Sequence, residues 1–355
     1  MEARSPNVCA LDCVAMDPVP TRRGSPAPTI RDVARQAKVG VGTVSRVLND
    51  SPLVSDEARV RVRKTIDELG YRPSSTARRL SLGRTQMIGV VAPFFTTRSV
   101  VERLRGVVER LRDRGEYDLL LFDVETLEQR ADAFEAFAAR DRVDGLLIVS
   151  LRPSDEEVAR MRREGLPVVL IDVTHRALPR VVIDDVRGGE LATEYLLQKG
   201  HRRIGFIGDA PTPFGFASSE LRCHGMRAAL RSAGIRPAAA LQKRGPHGRE
   251  EAIELTRALL AMENPPTAIF AASDVQAMGV LQAAEALGLR VPHDLAVIGF
   301  DDVEEAAVLG LTTVRQPLRE TGARGMELLL SAIEGRELAP VEELAPLAVV
   351  ERRTA

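Results

Sequence analysis

Tryptophan is absent from the 355 residues, aromatic residues make up 4%, and only three cysteines and five histidines occur. A core so poor in aromatics has to be built from Leu, Val, Ile and Ala, which the 45% hydrophobic content supplies. Two of the cysteines, Cys9 and Cys13, lie in a proline-rich leader and Cys223 stands alone, so neither a disulfide framework nor a paired zinc motif is present. The histidines repeat at no metal-ligand spacing, and no metal site or cofactor is expected. No apolar run approaches the ~18–20 residues of a membrane span. Val8–Met16 is interrupted by Asp12 and preceded by Arg4 alone among basic residues, which is not a secretion signal, so the expected location is cytoplasmic. No G-x-G-x-x-G follows a strand-like run, and no Walker loop, G-x-S-x-G or nucleophile–base pair is visible, which argues against an enzyme.

Charge is uneven. Net charge is −1 overall, but residues 29–86 carry twelve basic and six acidic side chains, a net +6. Residues 1–28 are neutral and read as a disordered leader, which leaves −7 on residues 87–355. The plain reading of the basic segment is a solvated face; the alternative is a polyanionic partner engaged at one end of the chain.

The basic segment has an order of its own. Thr29 is a favoured N-cap for "IRDVARQA", with Asp32 in the positive first turn, and Ile30, Val33, Ala34 and Ala37 form a helical apolar stripe. "KVG" breaks that helix. A second, over about Val41 to Leu48, turns Val44, Val47 and Leu48 inward and carries Thr43, Ser45 and Arg46 on its other face. Two glycines, Gly40 and Gly42, sit at its start, although glycine costs a helix interior about 1 kcal/mol relative to alanine. A third helix begins after Ser55 and ends at Gly70, with Ala58, Val62, Ile66 and Leu69 on one face. Two short helices across a tight turn make a helix-turn-helix, whose second helix can lie in a DNA major groove.

"TIRDVARQAKVGVGTVSRVLND…VSDEARVRVRKTIDELGYRPSSTARRL" resembles the DNA-binding headpiece of the lac repressor family of bacterial transcription regulators, and the resemblance continues to the C-terminus. It implies a DNA-facing set of Thr29, Val41, Gly42, Thr43, Ser45, Arg46, Asn49 and Ser55, with Val41, Gly42 and Arg46 at base-reading positions. The chemistry of Arg46 agrees, since a guanidinium can grip guanine O6 and N7 together. The family usually has serine where this chain has Gly40, so a hydroxyl is missing there. "RPSSTARRLSLGRT" by itself reads as a flexible basic linker; the resemblance implies instead a hinge helix that folds on DNA, with Ala77 at a close helix pairing, Arg78 on the groove and Leu80 as the wedge in a base step. The expected divisions are a leader at 1–28, a headpiece at 29–73, a hinge and linker at 74–86 and a core at 87–355.

From Met87 onward, apolar runs alternate with amphipathic stretches. "MIGVVA", "DLLLF", "GLLIVS", "PVVLID", "RVVID", "RIGFIG", "AIFAAS" and "LAVIGF" read as buried parallel strands, and Val100–Arg114, Gly188–Gln198, Leu221–Ala233 and Val275–Leu287 as helices between them. The expected fold is a small all-α headpiece plus an α/β core of two Rossmann-like lobes, which the resemblance specifies as a type I periplasmic-binding-protein-like core. Ligands of open α/β sheets bind beyond the carboxyl ends of strands. The candidates there are Asp172, Arg222, Ser273 and Asp301; the resemblance points most directly to Arg222 and Asp301. Asp274 reads as a helix cap, and Phe94, Phe95, Phe214, Phe216 and Phe270 as an apolar face for a sugar ring or as core.

The function so implied is a repressor whose affinity for a pseudopalindromic double-stranded operator is controlled by a small effector, expected to be a sugar, and which acts in the cytoplasm at the nucleoid. The tail "LAPLAVVERRTA" has no leucine heptad, so a homodimer is expected rather than a tetramer. A sugar-binding transport protein and an α/β enzyme are the alternatives.

Overall fold

The structure is a computed structural model that describes residues 28–72, 84–112, 114–115, 117–137, 142–211, 217–336, 342–343 and 347–355. The chain divides into two compact units, Met1–Leu82 and Gly83–Ala355. Ala77, Arg78 and Leu80, together with the leader, lie outside the described residues.

Among the described residues the first unit has three helices: α1 (Ile30–Gln36), α2 (Val41–Leu48) and α3 (Asp56–Leu69). The Thr29 backbone N–H and hydroxyl both donate to Asp32 Oδ2, at 2.9 and 2.7 Å, and this fixes the start of α1. Lys38 takes a left-handed φ of 54° in the tight turn before α2. Ser55 accepts from the Ala58 N–H at 3.4 Å, and Gly70 ends α3 at φ 60°. Val33, Ala34, Ala37, Val44, Val47 and Val62 fill the core, as their spacing requires, and Tyr71 completes it from beyond the third helix. Arg59 donates to the Ser51 carbonyl at 2.7 Å and Arg63 to Asp50 at 2.8 Å, so part of the basic excess serves the loop between α2 and α3.

The second unit holds two six-stranded sheets. Lobe 1 comprises β1 (Met87–Pro93), α4 (Arg98–Arg112), β2 (Asp118–Val124), α5 (Leu127–Ala136), β3 (Gly145–Val149), α6 (Asp155–Arg163), β4 (Val168–Ile171) and β5 (Arg180–Val182). The chain then enters α7 (Asp185–Gln198) and lobe 2: β6 (Ile204–Asp209), α8 (Ser218–Ser232), β7 (Gln242–Gly245), α9 (Arg249–Leu260), β8 (Ala268–Ala271), α10 (Asp274–Ala286), β9 (Ala296–Asp301), α11 (Glu304–Leu309) and β10 (Thr312–Arg315). It returns to lobe 1 through α12 (Leu318–Ile333) and β11 (Glu342–Glu343), and ends in lobe 2 with β12 (Ala348–Val350). The spatial orders are β11-β5-β4-β3-β1-β2 and β12-β10-β9-β8-β6-β7, so the lobes repeat one topology. Every pairing is parallel except that of β12 with β10.

The apolar runs lie where the sequence puts them: β3, β4, β8 and β9 are buried along their whole length. β7 and β10 carry no such run. β7 is a half-exposed edge strand, and β10 buries two threonines whose polar groups are satisfied, Thr313 by donating to Asp274 at 2.5 Å and Thr312 by the Thr354 hydroxyl at 2.8 Å. The helix carrying Arg222 starts at Ser218, three residues before its expected Leu221.

The helices that cover the two sheets cross in the same way. A Cβ on Gly106 of α4 would lie 1.9 Å from the Arg319 carbonyl oxygen of α12, and one on Gly322 of α12 would lie 1.9 Å from that of Arg103. In lobe 2, a Cβ on Gly225 of α8 would lie 1.9 Å from the Val186 oxygen of α7, and one on Gly189 would lie 2.0 Å from that of Arg222. Reciprocal glycines bring both helix pairs into backbone contact, which no residue with a Cβ permits. One glycine of each crossing lies on the backbone of an arginine, Arg103 in lobe 1 and Arg222 in lobe 2, that lines the cleft between the lobes.

Candidate functional site

A cleft opens where the carboxyl ends of both sheets meet. Lobe 1 lines it with Phe94, Arg98, Arg103, Ser150 and Asp172, and lobe 2 with Asp209, Arg222, His247, Ser273 and Asp301; Gln316 enters from the crossover after β10. Phe94, Ser150, Asp172 and Asp301 all have positive φ, at 48°, 53°, 61° and 121°. Left-handed backbone at non-glycine residues is costly, and here it recurs at the strand ends that turn side chains toward the cleft.

Arg222 is buried at 5% exposure and is held from several sides. Its Nε donates to Asp185 at 2.8 Å, Nη1 donates to the Ala272 carbonyl at 2.6 Å and lies 3.8 Å from Asp301, and the guanidinium stacks 3.7 Å from the Phe300 ring centroid. Burial alone would favour loss of its charge, but Asp185, Asp301 and Asp172 outweigh that and raise its pKa. The same burial pushes Asp185 up to about 6 despite the attraction of Arg222, and raises Asp301 as well. Asp301 also accepts a short hydrogen bond from Gln316 Nε2.

Arg103, the lobe-1 counterpart of Arg222, is 3% exposed. One terminal nitrogen donates to Gln316 Oε1 at 3.2 Å and lies 3.2 Å from Asp172 Oδ1. Ser150 donates to the other Asp172 oxygen at 2.7 Å. Gln316 thereby joins the Arg103 of lobe 1 to the Asp301 of lobe 2. At the mouth, Arg98 of α4 pairs with Glu305 of α11 at 2.5 Å, a second link across the lobes.

The four expected cleft residues converge, and the roles of Ser273 and its neighbour Asp274 differ from those expected. The Ser273 hydroxyl accepts from the Gln276 N–H at 3.2 Å and so caps α10, the place expected of Asp274. Asp274 instead points inward, accepting from Thr313 and from the Val303 N–H at 3.0 Å; burial and the nearby Asp301 hold its pKa well above the usual carboxylate range. Phe270 is core, edge-on to Phe206 at 5.4 Å, and Phe95 packs against the lobe-1 core, so neither forms an apolar face in the cleft; Phe214 and Phe216 lie outside the described residues.

Arg103, Gln316 and His247 are cleft residues that the sequence did not single out. Arg103 had a signal: it shares the helical stripe of Val100 and Val107 on α4, where an apolar residue is expected. His247 follows the edge strand β7, and its Nδ1 lies 3.0 Å from Asp209 Oδ1, which also accepts from Gln276 at 2.9 Å. Burial disfavours the charged ring, but the Asp209 bond and the charges of Asp209 and Asp301 prevail, and its pKa is raised. Among the described residues, no group of three or more His, Cys, Asp or Glu could hold a metal ion, and no helix is long and apolar enough to cross a membrane.

On the first unit, Val41, Gly42, Arg46 and Asn49 are exposed on α2, and Thr43 and Ser45 are half-buried. A Cβ at Gly42 would meet nothing within 4 Å. Among the described residues, the Arg46 side chain makes no hydrogen bond or ion pair, so its guanidinium is available to a partner. Thr29 and Ser55 are exposed too, with hydroxyls already engaged at the starts of α1 and α3.

Comparison with known proteins agrees with both units. Residues 29–74 match the family of bacterial regulatory proteins called lacI, and residues 193–355 match a periplasmic binding protein-like domain. The chain is 36% identical over 312 residues to the ribose operon repressor of Escherichia coli K12, covering 86% of this chain and 93% of that protein. The complex of the transcriptional regulator CelR with cellobiose is 31% identical with a TM-score of 0.69, covering 92% of this chain and 100% of that one. The lac repressor dimer bound to operator and the anti-inducer ONPF is 27% identical with a TM-score of 0.79, covering 92% and 98%. The chain belongs to the lacI family of bacterial regulatory proteins and is a transcriptional regulator with a helix-turn-helix DNA-binding domain and a two-lobed α/β core, rather than an enzyme.

Proposed function

We propose that the protein is a homodimeric cytoplasmic repressor, located at the nucleoid when bound, whose grip on a pseudopalindromic operator is set by a polyhydroxylated effector, a sugar, in the cleft between the lobes. The observation that carries the ligand class is the cleft's charge balance. In the cleft wall the buried guanidiniums of Arg103 and Arg222 face the buried carboxylates of Asp172 and Asp301, a balanced set, with Asp185 behind Arg222. A neutral ligand rich in hydroxyls can donate to the carboxylates and accept from the guanidiniums without disturbing that balance, whereas a charged ligand would upset it. The sugar-linked names of the ribose operon repressor and the CelR–cellobiose complex support the same class.

On the first unit, Arg46 would read a guanine, the Val41 methyls a thymine methyl, and Gly42 would leave its position open; Thr29, Thr43, Ser45, Asn49 and Ser55 would meet phosphates or neighbouring bases. Residues 29–73 would form the headpiece, 74–86 the hinge, with Ala77, Arg78 and Leu80 in the minor groove, and 87–355 the effector core. With so few side chains reading bases, DNA deformability at the centre of the site would carry much of the specificity. In the core, ligand held between Asp172 and Arg103 on one side and Ser273, Arg222 and Asp301 on the other would favour one lobe arrangement, with the Arg98–Glu305 link made or broken accordingly. Effector and operator would then weaken each other's binding by the same factor, or strengthen it.

Fluorescence anisotropy of the full chain on DNA from its own promoter tests the DNA half. Tight binding to one site, with a steep loss of affinity as salt rises, is expected. Equal affinity for unrelated DNA at physiological salt would overturn it.

A further inference from the structure

The two buried arginines of the cleft, Arg103 and Arg222, are topological equivalents but are not equally satisfied. Each lies on the helix after its lobe's first strand, each backbone sits beneath a glycine of the crossing helix, and each pairs with the aspartate that ends the fourth strand. Arg222 has its Nε on Asp185, a terminal nitrogen on a backbone carbonyl and its face on Phe300. Among the described residues, the buried side-chain atoms left without a hydrogen-bond partner are Arg103 Nε and Asp172 Oδ1. They belong to one pair, both side chains are more than nine-tenths buried, and both line the cleft. The 3.2 Å approach of the Arg103 terminal nitrogen to Asp172 Oδ1 is a charge contact without hydrogen-bond alignment.

A buried donor and a buried acceptor left unpaired cost more than the pairing of either returns, so such atoms are kept where a ligand completes them. We infer that Arg103 and Asp172 are the reading edge of the effector site: Arg103 Nε donates to one hydroxyl oxygen of the ligand and Asp172 Oδ1 accepts from the neighbouring hydroxyl, so that a vicinal diol is recognised by lobe 1. Arg222, besides facing the ligand from lobe 2, holds Asp185, Asp301 and the end of β8 in place. The inference rests on the polyol reading of the cleft and adds to it which residues select the ligand and by which two atoms. It also separates this site from a pocket for a carboxylate, which would meet Asp172 with repulsion.

The test is calorimetric titration of the full chain with D-ribose, D-glucose, D-galactose, cellobiose and myo-inositol at millimolar concentrations. Any that binds is then titrated into Arg103→Lys, which keeps the charge and loses Nε, and Asp172→Asn, which keeps the shape and loses one acceptor. Affinity should fall about tenfold or more in each, as for a lost hydrogen bond to a charged group, with the melting temperature of the ligand-free protein little changed. A monodeoxy analogue lacking the hydroxyl read by Arg103 should lose affinity for the wild type but not for Arg103→Lys. If neither variant folds, a crystal structure of the wild type with the bound sugar decides: hydroxyls within hydrogen-bond reach of both Arg103 Nε and Asp172 Oδ1 support the inference. Unchanged affinity in both variants, or a bound sugar that bypasses Arg103, would overturn it while leaving the polyol reading intact. Failure of every sugar to bind would overturn the polyol reading and this inference with it.

Discussion

Lobe 1 and lobe 2 share strand order, helix order and even the glycine pairs at which their helices cross, yet their polar interiors differ. In lobe 2 the arginine has Nε on a carboxylate, Nη1 on a carbonyl and its face on a ring; in lobe 1 the equivalent arginine keeps its buried Nε–H unpaired. The same backbone frame thus supplies a fixed half and an open half to one cleft. Backbone geometry is set by glycine and strand order, whereas recognition is set by which polar atoms are left over.

The comparison can be broken most severely at Arg222. Arg222→Met leaves Asp185 and Asp301 buried without their cation and should cost about 3–5 kcal/mol in urea unfolding, against about 1–3 kcal/mol for Arg103→Met, which strands Asp172 alone. Equal losses would show that the two halves are electrostatically alike. Next come the crossings: Gly106→Ala and Gly225→Ala each drive a Cβ onto a carbonyl oxygen and should lower stability by about 1–3 kcal/mol or more, by similar amounts in the two lobes.

A smaller effect distinguishes the lobes by pH. The folded-state pKa of Asp185 is pushed from 3.8 up to about 6, so the folded protein holds this proton more tightly than the unfolded chain. The stability it contributes is complete below pH 3.8 and is lost as pH rises through about 6. Asp185→Asn should therefore show less decline in melting temperature across that interval than the wild type; parallel curves would remove Asp185 as the cause. The smallest change in stability is expected on the first unit. Gly42→Gln meets open space, replaces a costly helical glycine and should alter stability by less than about 1 kcal/mol. Its effect should appear in the sequence preferred during operator selection, and an unchanged preference would mean that α2 does not read bases at that position.

Much of this was legible in the sequence. The eight apolar runs became strands; β1, β3, β4, β6, β8 and β9 are buried almost throughout in parallel sheets and cannot hide their composition, while β2 and β5 are only partly buried. β7 and β10 were not legible, since an edge strand needs no apolar run and β10 buries Thr312 and Thr313 by satisfying their polar groups. Arg222 and Asp301 were visible through family resemblance, and Asp172 and Ser273 through their places at strand ends. Arg103 was hidden among the other arginines of "RSVVERLRGVVERLR", all of which look like ordinary solvated helix charge. Only its place on the stripe of Val100 and Val107 marked it, and only the close approach of Gly322 explains why α4 buries that stripe so deeply. Gln316 and His247 had no local signal, because each matters through a partner far away in sequence, Arg103 and Asp209 respectively.

The central claim, that ligand held in this cleft governs the DNA affinity of the α2 reader, is tested most directly by one titration. The full chain is bound to fluorescent promoter DNA at physiological salt, and anisotropy is followed as a sugar identified by calorimetry is added to wild type and to Arg103→Lys. The account predicts a change in DNA affinity of about tenfold in the wild type, in the range of ordinary allosteric coupling, reached only at roughly tenfold higher sugar in the variant. DNA affinity that stays constant while the sugar saturates the wild-type cleft would contradict it.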